Sequence, residues 1–110
     1  MRGANDMLNG KQKAYLRSLA HNIDPVFQIG KDGITDNMLR DIKNYLLKHE
    51  LMKVSVLNNC MEDKASLATI FELAGIDVIQ IIGHVIVLYK KNPKLENGIK
   101  LPAVSKNFIK

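Results

Sequence analysis

The chain has 110 residues, of which 46% are hydrophobic and 25% are charged, and its net charge is +5. This length suits one globular domain with a single core and leaves little room for two. The apolar stretches 78–82 and 85–89 are separated by Gly83 and His84 and are far too short to span a membrane. The lone cysteine, Cys60, excludes an internal disulfide and fits a reducing compartment, so we predict a cytoplasmic protein.

The positive charge is unevenly distributed along the chain. Residues 90–110 hold six lysines against Glu96 alone, whereas residues 1–89 are neutral. Within that neutral part, residues 1–53 hold nine basic and six acidic side chains, and residues 54–89 hold Lys64 against four carboxylates. An anion-binding surface is therefore expected on the first half of the chain and on the C-terminal tail.

The first predicted elements are a helix and a strand. Between residues 11 and 22, apolar side chains recur at the spacing of one buried helix stripe, which continues to Ile23. Pro25 ends this helix and leads into an extended strand over 26–29. The apolar stripe consists of Leu16, Leu19, Ala20 and Ile23.

Thr35 is a suitable N-cap for a second helix, and the alternating, valine-rich segment 51–57 predicts a second strand. Helical spacing assigns an inner face to this helix. The inner-face residues are Met38, Ile42, Tyr45, Leu46 and His49.

A third helix is predicted with Glu62 and Asp63 in its first turn and Gly75 at its end. Two strands follow over 76–82 and 85–89, joined by a two-residue Gly83-His84 turn. The order α-β-α-β-α-β-β predicts an α/β fold. We expect a two-layer sandwich in which helices pack against a mixed four-stranded sheet.

A short glycine loop, Gly30-Lys31-Asp32-Gly33, lies between the first strand and the second helix. Such a loop can bind a phosphate through Lys31 and through main-chain amides around Gly33 and Ile34, although two glycines at this spacing more often only turn the chain. Asp32 and Asp36 oppose anion binding, so other cations are needed. The candidates are Lys11, Lys13, Arg17, Lys91 and Lys94, and for any one of them a purely solvated position is the simpler interpretation.

The sequence gives little support for catalysis. Cys60 has no neighbour that indicates activation, and His21, His49 and His84 show no metal-ligand spacing. We therefore predict neither an enzyme nor a metal or cofactor site. The aromatic residues lie mostly at or beside core positions, so if the basic surface binds a nucleic acid, recognition of its backbone and shape is favoured over base stacking.

Four blocks of sequence together resemble the CRM domain family, and in particular its single-domain bacterial YhbY-like members. The blocks are residues 16–21, 25–35, 49–54 and 83–90. The resemblance implies a fold similar to the C-terminal domain of a bacterial translation initiation factor. It also implies an assembly factor, without enzymatic activity, that binds structured ribosomal RNA in precursors of the large ribosomal subunit.

Carried over by position, the resemblance assigns RNA binding to the glycine loop and to the basic surface of the first helix. The residues are Gly30, Lys31, Asp32, Gly33, Lys11, Lys13 and Arg17. We predict a leader over residues 1–6, a CRM-like domain over 7–90, and an extended or mobile basic tail over 91–110. The alternative is a protein-interaction module that docks on a ribosomal protein or another assembly factor through its acidic second half.

Overall fold

The computed structural model describes residues 8–95 and 98–102. Within these residues, three helices and four strands follow the predicted order α-β-α-β-α-β-β. The helices are α1 (Gly10–Ala20), α2 (Asp36–His49) and α3 (Lys64–Leu73). The strands are β1 (Pro25–Ile29), β2 (Leu51–Val56), β3 (Asp77–Ile82) and β4 (Val85–Tyr89).

The four strands form one mixed sheet in the order β1-β2-β4-β3. β1 runs parallel to β2, while β4 pairs antiparallel with both β2 and β3. The α2 crossover accounts for the parallel pair, and the Gly83-His84 turn accounts for the antiparallel hairpin. Gly83, with φ of +55°, and His84 are the two residues between Ile82 and its sheet partner Val85, which confirms the predicted two-residue turn.

The main core lies between the sheet and the helices α2 and α3. It combines Ile42 and Leu46 of α2 with Leu67 and Phe71 of α3, all of them 0–1% exposed. The strands contribute alternate residues to this core because successive side chains point to opposite faces. These strand residues are Ile29, Met52, Val54, Val56, Ile86 and Leu88.

The helix α1 packs on the opposite face of the sheet and completes a second, smaller core. Leu16 and Ala20 contact the sheet face that carries Leu51, Val87 and Tyr89. The predicted α/β fold with a four-stranded mixed sheet packed with helices is confirmed. The helices occupy both faces, so the sheet lies between two helical layers and the predicted two-layer arrangement is corrected. Sequence period alone cannot assign a helix to one face or the other.

The helix ends follow the predicted signals with two corrections. The Thr35 hydroxyl oxygen accepts a hydrogen bond from the Met38 N–H at 3.1 Å, which confirms the N-cap of α2. The placement of Glu62 and Asp63 in the first turn of α3 is wrong, because Asp63 is the N-cap and Glu62 precedes it. The inner position of His49 is also wrong: this last residue of α2 lies beyond the core and is exposed, with its ring against Tyr45 at a centroid distance of 4.2 Å.

The predicted role of Gly75 at the end of α3 is confirmed. Gly75 has φ of +86°, its N–H donates to the Glu72 carbonyl at 3.0 Å, and the Ile76 N–H donates to the Phe71 carbonyl at 3.0 Å. This is a Schellman motif, in which two carbonyls of the last turn find partners. It turns the chain directly into β3.

Residues 91–95 and 98–102, which we call the C-terminal strap, contain no helix or strand and contact the body of the domain. The first part is bent by a turn in which the Leu95 N–H donates to the Asn92 carbonyl at 3.1 Å. Ile99 and Leu101 pack against the core beneath α1. The Asn92 side-chain amide donates to the Leu47 carbonyl at 2.8 Å, and that of Gln12 donates to the Pro102 carbonyl at 3.2 Å. The predicted leader and the tail beyond residue 102 lie outside the described residues, and the domain boundaries stay predictions.

Candidate nucleic-acid interface

The glycine loop is a tight turn at the end of β1. The Gly33 N–H donates to the Gly30 carbonyl at 3.0 Å, and Gly33 has φ of +67°, which favours glycine. Lys31 and Asp32 are exposed at the tip of the turn. Because the Gly33 amide is used inside the turn, it is not free to bind a phosphate as the sequence suggested.

The free main-chain donors lie after the loop, at the start of α2. The first-turn amides of a helix have no partner within it, and of these Met38 is capped by Thr35. The N–H groups of Asp36 and Asn37 therefore remain available to an anion beside the loop. The carboxylate of Asp36 partly offsets this potential.

A carboxylate from the segment before α3 also lies against the loop. A Cβ atom at Gly33 would stand 2.9 Å from Glu62 Oε2, so this side chain lies directly against the Gly33 main chain. The two segments are tied together because the Leu57 N–H donates to the Ile29 carbonyl at 2.8 Å. Next along, Asp63 accepts hydrogen bonds from Ser66, which lower the pKa of its carboxyl group. The loop therefore lies beside the carboxylate of Glu62, in addition to its own Asp32.

The cations of α1 lie away from the loop and on a particular flank of the helix. Gln12 contacts the C-terminal strap, and Leu19 lies in a hollow with Leu51 and Ile99, so this flank faces the edge of the sheet where β2 begins. Each helical residue advances by about 100°, which puts Lys13 and Arg17 on the opposite flank. Both are only partly exposed, as expected for side chains that lean over the sheet.

An uncovered strip of the sheet joins this flank of α1 to the glycine loop. Lys53 and Ser55 of β2 share the sheet face on which α1 packs, and Gln28 of β1 is paired with Ser55. Val87, opposite Lys53, is buried, whereas Gln28 is exposed, so α1 covers only part of the face. From Lys53 to the end of β2 beside Ile29 is about 10 Å, at about 3.3 Å per residue.

The predicted site residues thus form two groups rather than one cluster. Gly30, Lys31, Asp32 and Gly33 lie at the end of β1, and Lys13 and Arg17 lie on α1 across the uncovered strip. Lys11 is exposed in the first turn of α1. Lys53, which the sequence did not single out, stands between the two groups.

Sequence reasoning missed Glu50, the residue between α2 and β2. It is 2% exposed and adopts the left-handed conformation, with φ of +64°. Its Oε2 accepts a hydrogen bond from the Asn92 N–H and its Oε1 accepts one from the Ile99 N–H, each at 2.6 Å. The available signal was a glutamate at a helix end where glycine or asparagine is usual.

Within the described ranges, no group of three or more His, Cys, Asp or Glu side chains is placed to hold a metal ion. Cys60 is partly exposed, and its thiol donates to the Glu62 carbonyl at 3.6 Å. No helix in the described part of the chain is long and apolar enough to cross a membrane.

Comparison with known proteins shows the family. Residues 8–90 match the model of the CRS1 / YhbY (CRM) domain. The chain belongs to the CRM family. It is 48% identical to "Probable RNA-binding protein YqeI" of Bacillus subtilis over 97 residues, which are 87% of this chain and all of that protein.

Two further proteins match the chain over a similar number of residues. The chain is 41% identical to an "RNA-binding protein" of Haemophilus influenzae over 97 residues, covering 86% of this chain and 95% of the relative. Its fold is similar to the solution structure of SAV1595 from Staphylococcus aureus, with a TM-score of 0.71 and 52% identity over 87% of this chain and all of that one. This CRM protein therefore matches these three proteins over 95–100% of their length.

Proposed function

We propose that this CRM protein binds structured ribosomal RNA in precursors of the large ribosomal subunit and assists their assembly in the cytoplasm without catalysing a reaction. The names of its relatives support RNA as the partner. The observation that carries the proposal is the uncovered strip of sheet, which has Lys13 and Arg17 at one end, Lys53 along it, and the loop at the other end.

The arrangement suits the sugar-phosphate backbone of RNA. Lys31 contacts a phosphate at the tip of the loop, while the Asp36 and Asn37 amides donate to its oxygens. Because Glu62 and the loop's own Asp32 repel phosphate, the loop binds weakly by itself. The cations across the strip supply the remaining affinity by releasing counterions from further phosphates.

The aromatic side chains support recognition by shape rather than by base stacking. Phe71 and Tyr89 are buried, and Phe27 packs edge to face against Tyr45 at a centroid distance of 6.3 Å. Among the Phe and Tyr residues that the structure describes, Tyr15 alone is exposed. A stacking platform needs clustered exposed rings, which these residues do not provide.

The test is a set of charge reversals measured against transcribed large-subunit ribosomal RNA. We expect Lys31→Glu and Arg17→Glu each to weaken binding about tenfold or more at low salt and to reduce the slope of log K against log salt. Lys43→Glu is the matched control, because Lys43 is exposed on α2, behind the opposite face of the sheet. Equal affinities for all three variants and the unmodified protein would contradict the proposed interface.

A second candidate is a protein-docking module, favoured by exposed apolar residues at the two ends of α3. Met61 is 86% exposed and Leu73 is 83% exposed, and each has a glutamate next to it in the sequence. If α3 docks on a ribosomal protein, the double variant Met61→Ser/Leu73→Ser should no longer bind precursor particles. Its affinity for naked RNA should stay unchanged. Retention of this variant on the particles would remove the candidate.

A further inference from the structure

We propose that the C-terminal strap is a second contact for the RNA backbone, held in a fixed shape by the buried carboxylate of Glu50. This inference rests on the RNA binding proposed above and adds a surface at the opposite end of β2 from the glycine loop. The two sites are about 16 Å apart along that strand, at about 3.3 Å per residue. The experiment below separates failure of the strap from failure of RNA binding as a whole.

Glu50 fixes the strap at two points. Its two carboxylate oxygens each accept a 2.6 Å hydrogen bond, one from the Asn92 N–H and one from the Ile99 N–H. Its own carbonyl accepts from the Lys90 N–H at 2.9 Å, just before the strap begins. A buried carboxylate is costly unless donors surround it, and hydrogen bonds to a charged acceptor are the stronger kind. The position of Glu50 is explained by these donors.

The rest of the strap has an inner apolar side and an outer cationic side. Ile99 and Leu101 pack into the core beneath α1, and the Asn92 side chain is bonded to the end of α2. The strap lysines, by contrast, are exposed. They are Lys91, Lys94 and Lys100. The packing that orders the main chain therefore presents all three cations to solvent.

A groove of about 460 Å³ runs between the strap and the body, and its lining suits phosphates better than bases. Lys91 and Lys100 line it, and no aromatic side chain of the described residues does. Among those residues Glu50 is the one carboxylate in the lining, and both of its oxygens already accept main-chain hydrogen bonds. Two further exposed cations lie nearby, Lys11 next to Gln12 and Lys48 next to Leu47, the residues that bond the strap.

A preformed cationic strap and a flexible cationic tail predict different effects. If Glu50 orders the lysines before binding, its loss leaves every positive charge in place but adds an ordering cost when RNA binds. Loss of the lysines instead removes phosphate contacts and changes the salt dependence. The two kinds of variant should therefore differ in the slope of log K against log salt concentration.

The test measures binding of transcribed large-subunit ribosomal RNA over a range of KCl concentrations. For K91A/K94A/K100A we expect at least a tenfold loss of affinity. The slope of log K against log salt should be smaller by about two, because each phosphate that is no longer neutralised removes about 0.7. For Glu50→Gly, which tolerates the left-handed conformation, we expect a loss of about three- to tenfold with the slope of the unmodified protein. Hydrogen exchange at the Asn92 and Ile99 amides should rise in Glu50→Gly. Lys43→Ala is the control and should bind normally.

Three outcomes would overturn the inference. If K91A/K94A/K100A binds RNA normally while Lys31→Glu is impaired, the strap does not bind RNA and the loop proposal stands. If the unmodified protein binds no RNA, the proposed function itself fails. If the triple variant loses binding to polyglutamate but keeps its affinity for RNA, the strap serves an acidic protein. The triple variant changes exposed side chains only, so the inference stays testable even if Glu50→Gly does not fold.

Discussion

At the scale of single residues, the conformation of Gly33 distinguishes the two glycines of the loop. Gly33 has a positive φ, and a Cβ there would approach Glu62 Oε2 to 2.9 Å. Gly30 does not have a positive φ, and a Cβ there would lie 3.5 Å from Leu57 Cδ1, an ordinary van der Waals distance. The conformational requirement for glycine therefore applies to the second position of the motif and not to the first.

We predict that Gly33→Ala lowers the free energy of unfolding by about 1–2 kcal/mol, because an L residue is strained in the left-handed region. Gly30→Ala should change it by less than about 0.5 kcal/mol and is the matched control. Urea denaturation followed by circular dichroism measures both. Equal destabilisation by the two substitutions would show that positive φ is not the reason for glycine at position 33.

Tyr89 is a second residue with a distinctive environment. It is 1% exposed, and within the described residues its hydroxyl has no hydrogen-bond partner. Burial, together with the nearby carboxylates of Glu50 and Asp77, raises the pKa of Tyr89 from 10.0 to about 12. The neutral phenol is therefore the form that the folded protein stabilises.

From these pKa values we predict an alkaline loss of stability that depends on Tyr89. The stability contributed by the neutral Tyr89 is complete below pH 10 and is lost as the pH rises from 10 to about 12, with an upper size of about 3 kcal/mol. Tyr89→Phe should be as stable as the unmodified protein at pH 7, since no hydrogen bond is lost, and should lack this part of the alkaline decline. Identical stability curves for the two proteins between pH 9 and 12 would contradict the assignment.

At the scale of elements, the segment that leads into α3 restrains the loop between β1 and α2. Glu62 lies against Gly33, and the Leu57 N–H joins this segment to Ile29. The loop is thus part of a joint surface that includes a fixed negative charge. In the proposed interface, the affinity of the loop for phosphate therefore depends on the segment before α3 as well as on the loop's own sequence.

Removing that charge should strengthen RNA binding. We expect Glu62→Gln to raise the affinity two- to fivefold at low salt, with the gain disappearing at high salt as the interaction is screened. Glu72→Gln is the control, because Glu72 is an exposed carboxylate at the other end of α3. The same gain from both variants would indicate a general charge effect, and no gain from Glu62→Gln would place the phosphate elsewhere.

At the scale of the whole molecule, the order of elements was predictable because each has a local signal. Thr35, Gly75 and Gly83 mark a helix start, a helix end and a hairpin by mechanisms that act within a few residues. The predicted elements agree with the structure to within one to three residues at each end. The false inner position of His49 arose where the periodic pattern runs past the edge of the core.

The parts of the site that join distant segments were not predictable in this way. Lys53 belongs to the proposed interface because of the register of β2 with β4, and Glu50 binds residues more than 40 positions away. Neither relation leaves a periodic pattern in the sequence. The resemblance identified the loop and the α1 cations, but their separation by a strip of sheet depends on tertiary packing.

The measurement that tests the central claim most directly is RNA crosslinking to the native protein in sucrose-gradient fractions of a cell lysate, with Lys31→Glu in parallel. We predict that the unmodified protein sediments with precursors of the large subunit and crosslinks to their ribosomal RNA, and that Lys31→Glu shifts towards the top of the gradient with fewer crosslinks. Sedimentation of the unmodified protein at the top of the gradient, with no ribosomal RNA enriched, would contradict the account.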